Sequence, residues 1–160
     1  VTGGRELIDR GVIAEHSVAQ ALLGLGWGVV PFGQGAWNPA ESPHGNTLVL
    51  DAVRRTRKPI RHAPDMLAGC PRRGVALVEV VNCGTWKRRA LELAKLEALS
   101  EWSHIAPVWI VDVSDWRAWQ HVAGWADSAL SDATRDGRGT GDPWCLFTRR
   151  DGRPFNEVFG

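Results

Sequence analysis

Val75-Ala76-Leu77-Val78-Glu79-Val80-Val81 is the stretch on which the reading turns. It is apolar and β-branched on both sides of a single acid, which predicts a buried strand carrying a carboxylate. An ionised carboxylate in such a setting is costly unless it is paired, hydrogen-bonded or bound to a metal. Fourteen residues upstream, Pro64-Asp65 ends a shorter strand-like segment, Ile60 to Leu67. Two acids on neighbouring strands form an oxygen-rich site of the kind that suits Mg²⁺ or Mn²⁺.

Working outward, Val12 to Leu25 is expected to be a helix, stopped by Gly24 and Gly26. Trp27 to Phe32 is expected to be a first strand, Gly33 to Asn46 a loop, and Leu48 to Val53 either a strand or a helical turn. Arg61 to Ala68 would be the second strand, carrying Asp65, and Val75 to Val81 the third. Trp86 to Trp102 is expected to be a second helix and Pro107 to Val113 a fourth strand, near-continuously apolar and so expected to be buried on both faces. Ser114 would cap a third helix running to about Leu130, with a stripe of Trp116, Trp119, Ala123 and Ala126. Ser131 to Asp142 reads as a linker, and Trp144–Thr148 with Pro154–Phe159 as a terminal hairpin around Asp151-Gly152. The expectation is a single α/β domain over residues 1–160. Its mixed central sheet has the order αβββαβ and is flanked by helices, with a core of about 12–113 and a C-terminal helix and hairpin appended over 114–160.

The helix faces select further residues. At helical spacing Glu15 falls in the apolar arc of Val18, Ala19 and Leu22, where an acid is unusual. It is expected either to point into the site of Asp65 and Glu79 or to pair with one of the chain's many arginines. Lys95 lies in the arc of Leu91, Ala98, Leu99 and Trp102, where an ammonium either snorkels outward or meets a buried acid. Lys87 sits at the arc's margin, better placed for a phosphate.

Charge distribution points the same way. The totals, 19 Lys+Arg against 18 Asp+Glu, say nothing by themselves. Arg54, Arg55, Arg57, Lys58, Arg61 and His62 form one basic run before Asp65, and Lys87, Arg88 and Arg89 another after Glu79. Basic runs flanking an acid pair suggest a polyanion brought to a metal; solvated loops are the alternative. The three cysteines contain no Cys-x-x-Cys pair, so neither a structural zinc site nor a disulfide framework is expected. No phosphate-loop signature is present, Gly33-Gln34-Gly35 being too short. Trp37, in the polar loop, could stack on a base or cover the core edge. No signal peptide or long apolar run is seen, so a cytoplasmic protein without a membrane span is expected.

Helix Glu15, Pro64-Asp65, Glu79 in an apolar strand, then helix and strand, resembles the PD-(D/E)xK nuclease superfamily, the restriction-endonuclease-like fold that includes small Holliday-junction-resolvase-type nucleases. The likeness runs from about Val12 to Val113. It implies a metal-dependent DNA endonuclease, with Asp65 and Glu79 holding Mg²⁺ or Mn²⁺, Glu15 as a further ligand, and the basic runs gripping DNA. Homodimerisation is expected by the same analogy. The chain departs from the pattern at Val81, where the superfamily carries its lysine. The resemblance implies that a helix lysine has taken over, Lys95 before Lys87. Failing that, the chain is an inactive DNA-binding or assembly module on the same fold, or an unrelated α/β protein whose acids are structural.

Overall fold

The computed structural model describes residues 3–33, 36, 45–82, 88–121, 134–135, 143–148 and 151–160. Helix α1 (Gly3–Gly24) begins earlier than the apolar periodicity suggests. It stops where expected, because Gly26 takes the left-handed conformation (φ 83°). Trp27 N–H reaches back to the Leu22 carbonyl and Gly26 N–H to that of Leu23, both at 3.0 Å. These are the two bonds of a Schellman stop.

Strand β1 (Gly28–Pro31) follows. Helix α2 (Thr47–Arg54) resolves the ambiguous Leu48–Val53 stretch, because the Asn46 side chain caps the N–H groups of Leu48 and Val49. A short turn of helix, α3 (Lys58–Arg61), comes next. The second strand, β2 (Met66–Cys70), therefore starts after Asp65 and not at Arg61. It makes a hairpin with β3 (Gly74–Val81).

The expected second helix is half strand. Arg88–Glu92 forms β4, paired antiparallel with β8 (Pro143–Thr148), and only Leu93–Ser103 is helical, as α4. A distant partner strand has overridden a helical pattern in the local sequence. Strand β5 (Val108–Asp112) runs parallel to β3.

The region read as an appended helix and hairpin supplies strands to both sheets. Ser114 does not cap a helix. Its N–H and Oγ–H instead donate to Asp112 Oδ1, at 2.9 and 2.7 Å. The chain then turns through Trp116 at φ 52° into strand β6 (Arg117–His121). On β6, Ala118 faces one core and Trp119 the other. Both faces are buried, so the alternation that would mark a strand is missing. Residues 122–130 of the expected helix, and most of the expected linker, lie outside the described residues; Thr134–Arg135 forms β7, beside β8. The expected terminal hairpin does not form. β8 pairs with β4, whereas Arg153–Pro154 (β9) pairs with β6, and Phe155–Phe159 is helix α5.

The main sheet has the order β1-β2-β3-β5-β6-β9, and the smaller one β4-β8-β7. Strand alternation sorts the main sheet's two faces. Ala76, Val78, Met66 and Ala68 pack with Val18 and Leu22 of α1 and with Phe155 and Phe159 of α5. Leu77, Val108 and Ile110 pack with Leu96 and Leu99 of α4. The carbonyl of Phe159 accepts from Trp27 Nε1 (2.9 Å) and from Arg73, and its ring meets those of Trp27 and Trp109 edge-on.

Phe155 and Phe159 are thus core. Phe159→Ala is expected to destabilise the protein by about 3–5 kcal/mol, read by denaturant unfolding. Ile105→Ala, at a position 74% exposed, should stay within about 0.5 kcal/mol of the parent. Equal effects would show that this segment is an appendage after all.

Candidate functional site

The alternation that builds the sheet also decides where the acids go. Glu79 is two residues from Leu77, so its side chain lies on the α4 face. Asp65, two residues before Leu67, continues the same face from the neighbouring strand. From above, α4 lowers Lys95 onto them. Its Nζ is 2.7 Å from Glu79 Oε2 and donates to the carbonyl of Ala63 at 2.9 Å. Asp65 Oδ2 accepts the N–H of Val80 at 2.7 Å, and the two carboxyl groups lie close enough for the charge of Asp65 to act on Glu79. Glu79 is buried, 6% exposed, and Asp65 half-buried. One acid is held in the interior while its neighbour keeps contact with solvent.

Electrostatics follow from this crowding. Burial, reinforced by the Asp65 charge, pushes the Glu79 carboxyl up to about 8, against the pull of Lys95. Burial also raises Asp65, opposed by Lys95, the Val80 N–H and the Glu79 side chain. Burial alone would depress Lys95, but Glu79, Asp65 and Glu15 together outweigh it and hold the ammonium above its ordinary value. Burial and the neighbouring charge thus both favour the protonated form of Glu79.

Lys95 has no local reason to be where it is. It is the third residue of α4, where the positive end of the helix dipole disfavours a cation. Leu91, expected to share a helical arc with it, belongs to β4 instead. The acids of the sheet account for its position. Val81 points to the same face and packs at the edge of the α4 core.

Glu15 stands differently. It is half-buried on α1, the helix packed on the opposite face of the sheet. Its charge still acts on Glu79 and Lys95, as the smallest of the contributions. Among the described residues, no three His, Cys, Asp or Glu side chains are gathered closely enough to cage an ion by themselves.

The basic runs separate. Arg54, Arg55 and Arg57 are exposed, with Arg54 loosely paired to Asp51 at 3.9 Å. Arg61 is half-buried and engaged by a neighbour. This segment is tied to the lysine helix, since Trp102 Nε1 donates to the Pro59 carbonyl at 2.8 Å and Lys95 to that of Ala63. Lys87 and Trp37 lie outside the described residues, as do the side chains of Lys58 and Arg88. Reading the sequence for side chains left out the Val80 N–H, the Ala63 carbonyl and Trp102. Backbone groups carry no residue-type signature, and Trp102 reads as ordinary core.

No protein-family model and no curated protein matches the chain by sequence. By structure, the chain is similar to Hjc, a Holliday junction resolvase from the archaeal hyperthermophile Archaeoglobus fulgidus. The TM-score is 0.56 at 15% identity, covering 94% of this chain and 100% of that one. The likeness shows the fold, the mixed α/β architecture of a resolvase-type nuclease. Among the described residues, no helix is long and apolar enough to cross a membrane.

The raised acids make stability depend on pH. Between about 4.5 and 8 the native state keeps a proton that the unfolded chain releases, so stability falls as pH rises through that window. The slope approaches about 1.4 kcal/mol per pH unit for one proton. Lys95, raised above 10.5, keeps its contribution throughout and does not enter. Glu79→Gln should flatten the decline in denaturant titrations at pH 4 to 8.5. An unchanged slope would mean that Glu79 ionises normally in the native state.

Proposed function

We propose that this protein is a metal-dependent DNA endonuclease. The observation that carries the reading is the contact of Asp65, Glu79 and Lys95 on one face of a resolvase-like sheet. The donor set fits a hard divalent cation. It offers carboxylate oxygens with no thiolate or imidazole among them, and Asp65, Glu79 and Glu15 outnumber the one lysine, leaving negative charge for a cation to balance. Asp65 and Glu79 would hold Mg²⁺ or Mn²⁺, with Glu15 contributing from further off. Such an ion supplies phosphate polarisation and a more acidic water. Lys95, held by Glu79 and the Ala63 carbonyl, would orient that water or meet the charge developing on the phosphate. Val80 N–H fixes one oxygen of Asp65 and leaves the other to coordinate. Arg54, Arg55 and Arg57, with Lys58, Arg61, Lys87 and Arg88, would neutralise backbone phosphates. A homodimer is part of the proposal and is checked by solution mass.

One finding favours the alternative, an inactive DNA-binding or assembly module on this fold: no ready-made three-carboxylate cage is present among the described residues. Incubating plasmid and four-way-junction DNA with the protein, in Mg²⁺ and in EDTA, separates the two. Cleavage in Mg²⁺ alone supports the nuclease, and retention of DNA without cleavage supports the module.

Three outcomes are expected on the nuclease reading. Asp65→Ala and Glu79→Ala should abolish cleavage yet be no less stable than the parent in EDTA, because each removes a raised, buried acid. A large loss of stability would make these acids structural. Lys95→Ala should stop cleavage while sparing DNA and metal binding. Adding Val81→Lys should restore part of the rate, since Val81 points to the same face as Glu79; normal cleavage by Lys95→Ala would remove this lysine from the chemistry. Replacing Arg54, Arg55 and Arg57 with Ala should weaken binding to any duplex and lower the log–log salt slope by about one per lost phosphate contact. An unchanged slope would return them to the solvated surface.

A further inference from the structure

Strand β1 leaves the sheet beside Asp65 in an irregular pairing. Its regular register ends at Pro31 opposite Met66. Beyond that point the N–H groups of Phe32 and Gly33 both donate to the single carbonyl of Asp65, at 2.8 and 3.1 Å. Two residues facing one is the pattern of a β-bulge, a device that re-aims a side chain at the end of a strand. Phe32 is fixed in turn by its ring, which meets Trp102 of α4 edge-on at 5.1 Å.

Gly33 is buried and has no room for a side chain. A Cβ there would stand 2.9 Å from the Pro64 carbonyl oxygen, 3.0 Å from Asp65 Cα and 3.3 Å from Asp65 Oδ1. The first two are backbone atoms and cannot swing aside. The third belongs to the carboxylate oxygen left over once Oδ2 has taken the Val80 N–H. A methyl group at this position would therefore press on the backbone of Asp65 and on its spare oxygen together. Gly28, on the same strand, differs: a Cβ there meets only the Gly69 carbonyl, at an ordinary 3.6 Å.

We propose that Gly33 is a positioning residue, whose N–H and missing side chain seat Asp65 so that Oδ1 is presented to a divalent cation. The proposal rests on the nuclease reading and extends it to a residue that touches neither metal nor DNA. It also gives the Gly33-Gln34-Gly35 stretch, which is too short to bind phosphate, a reason to begin with glycine.

The test compares wild type, Gly33→Ala and Gly28→Ala. Mn²⁺ binding without DNA is followed by electron paramagnetic resonance, DNA affinity in EDTA by retention, plasmid cleavage by kinetics, and folding by circular dichroism. Gly33→Ala should bind Mn²⁺ about tenfold or more weakly and lose about 10²-fold in kcat, the scale of a misplacement near 1 Å. Its DNA affinity and its KM should stay within about twofold, since the basic segment is untouched. Gly28→Ala should match wild type in all four. A Gly33→Ala protein with wild-type Mn²⁺ affinity and kcat would overturn the proposal. So would one that fails to fold, because Gly33 would then be a requirement of the sheet and not of the carboxylate. Wild-type protein that neither binds Mn²⁺ nor cleaves would sink the nuclease reading and this seat with it. If wild type does both and Gly33→Ala is indifferent, the seat alone falls.

Discussion

Two carboxyl groups, placed beside each other under a lysine and largely withdrawn from water, set the terms for the rest of this molecule. Burying acids beside one another is unfavourable, and a single ammonium does not cancel the cost. The surrounding structure has to hold the arrangement in place. The β2–β3 hairpin puts Asp65 and Glu79 on one face, and the parallel pairing of β3 with β5 brings α4 back across that face. The Val80 N–H and the Ala63 carbonyl then satisfy what the side chains leave over. Local departures from stability of this kind are characteristic of sites shaped for chemistry rather than for packing.

How much of this could be read beforehand depended on whether the signal was local. Glu79 within an unbroken apolar run and Lys95 on an apolar helical stretch each announced a conflict between a residue and its surroundings, and the structure places these two in contact. Gly24 and Gly26 likewise marked the end of α1. The misreadings share one cause, pairing between distant segments. Arg88 to Glu92 continues a helical pattern into α4 but is a strand because β8 lies beside it. Trp116 and Trp119 have helical spacing yet lie on a turn and on β6, a strand covered on both faces. Trp144–Thr148 and Pro154–Phe159 are near neighbours in sequence but join different sheets. The placement of Glu15 was legible only in part: its apolar arc was visible, but not that α1 covers the opposite face from Asp65 and Glu79.

The segment between α2 and β2 joins two properties that the sequence presents separately. Its Arg55 and Arg57 are exposed, while its carbonyl groups at Pro59 and Ala63 are held by Trp102 and Lys95 of α4. The surface that would meet a phosphate backbone is therefore fastened to the helix that carries the buried cation.

The bond from Trp27 to the carbonyl of Phe159 spans 132 residues of sequence. The core face shared by α1, the main sheet and α5 cannot close until both ends of that span exist. Much of the apolar surface of α1 must wait, without its final cover, while the intervening chain is synthesised. Topologies dominated by such distant contacts fold slowly, because the entropy of bringing the ends together is lost before the packing is gained. The long-range closure that makes this core continuous also means that its last cover arrives only once Phe159 has been made.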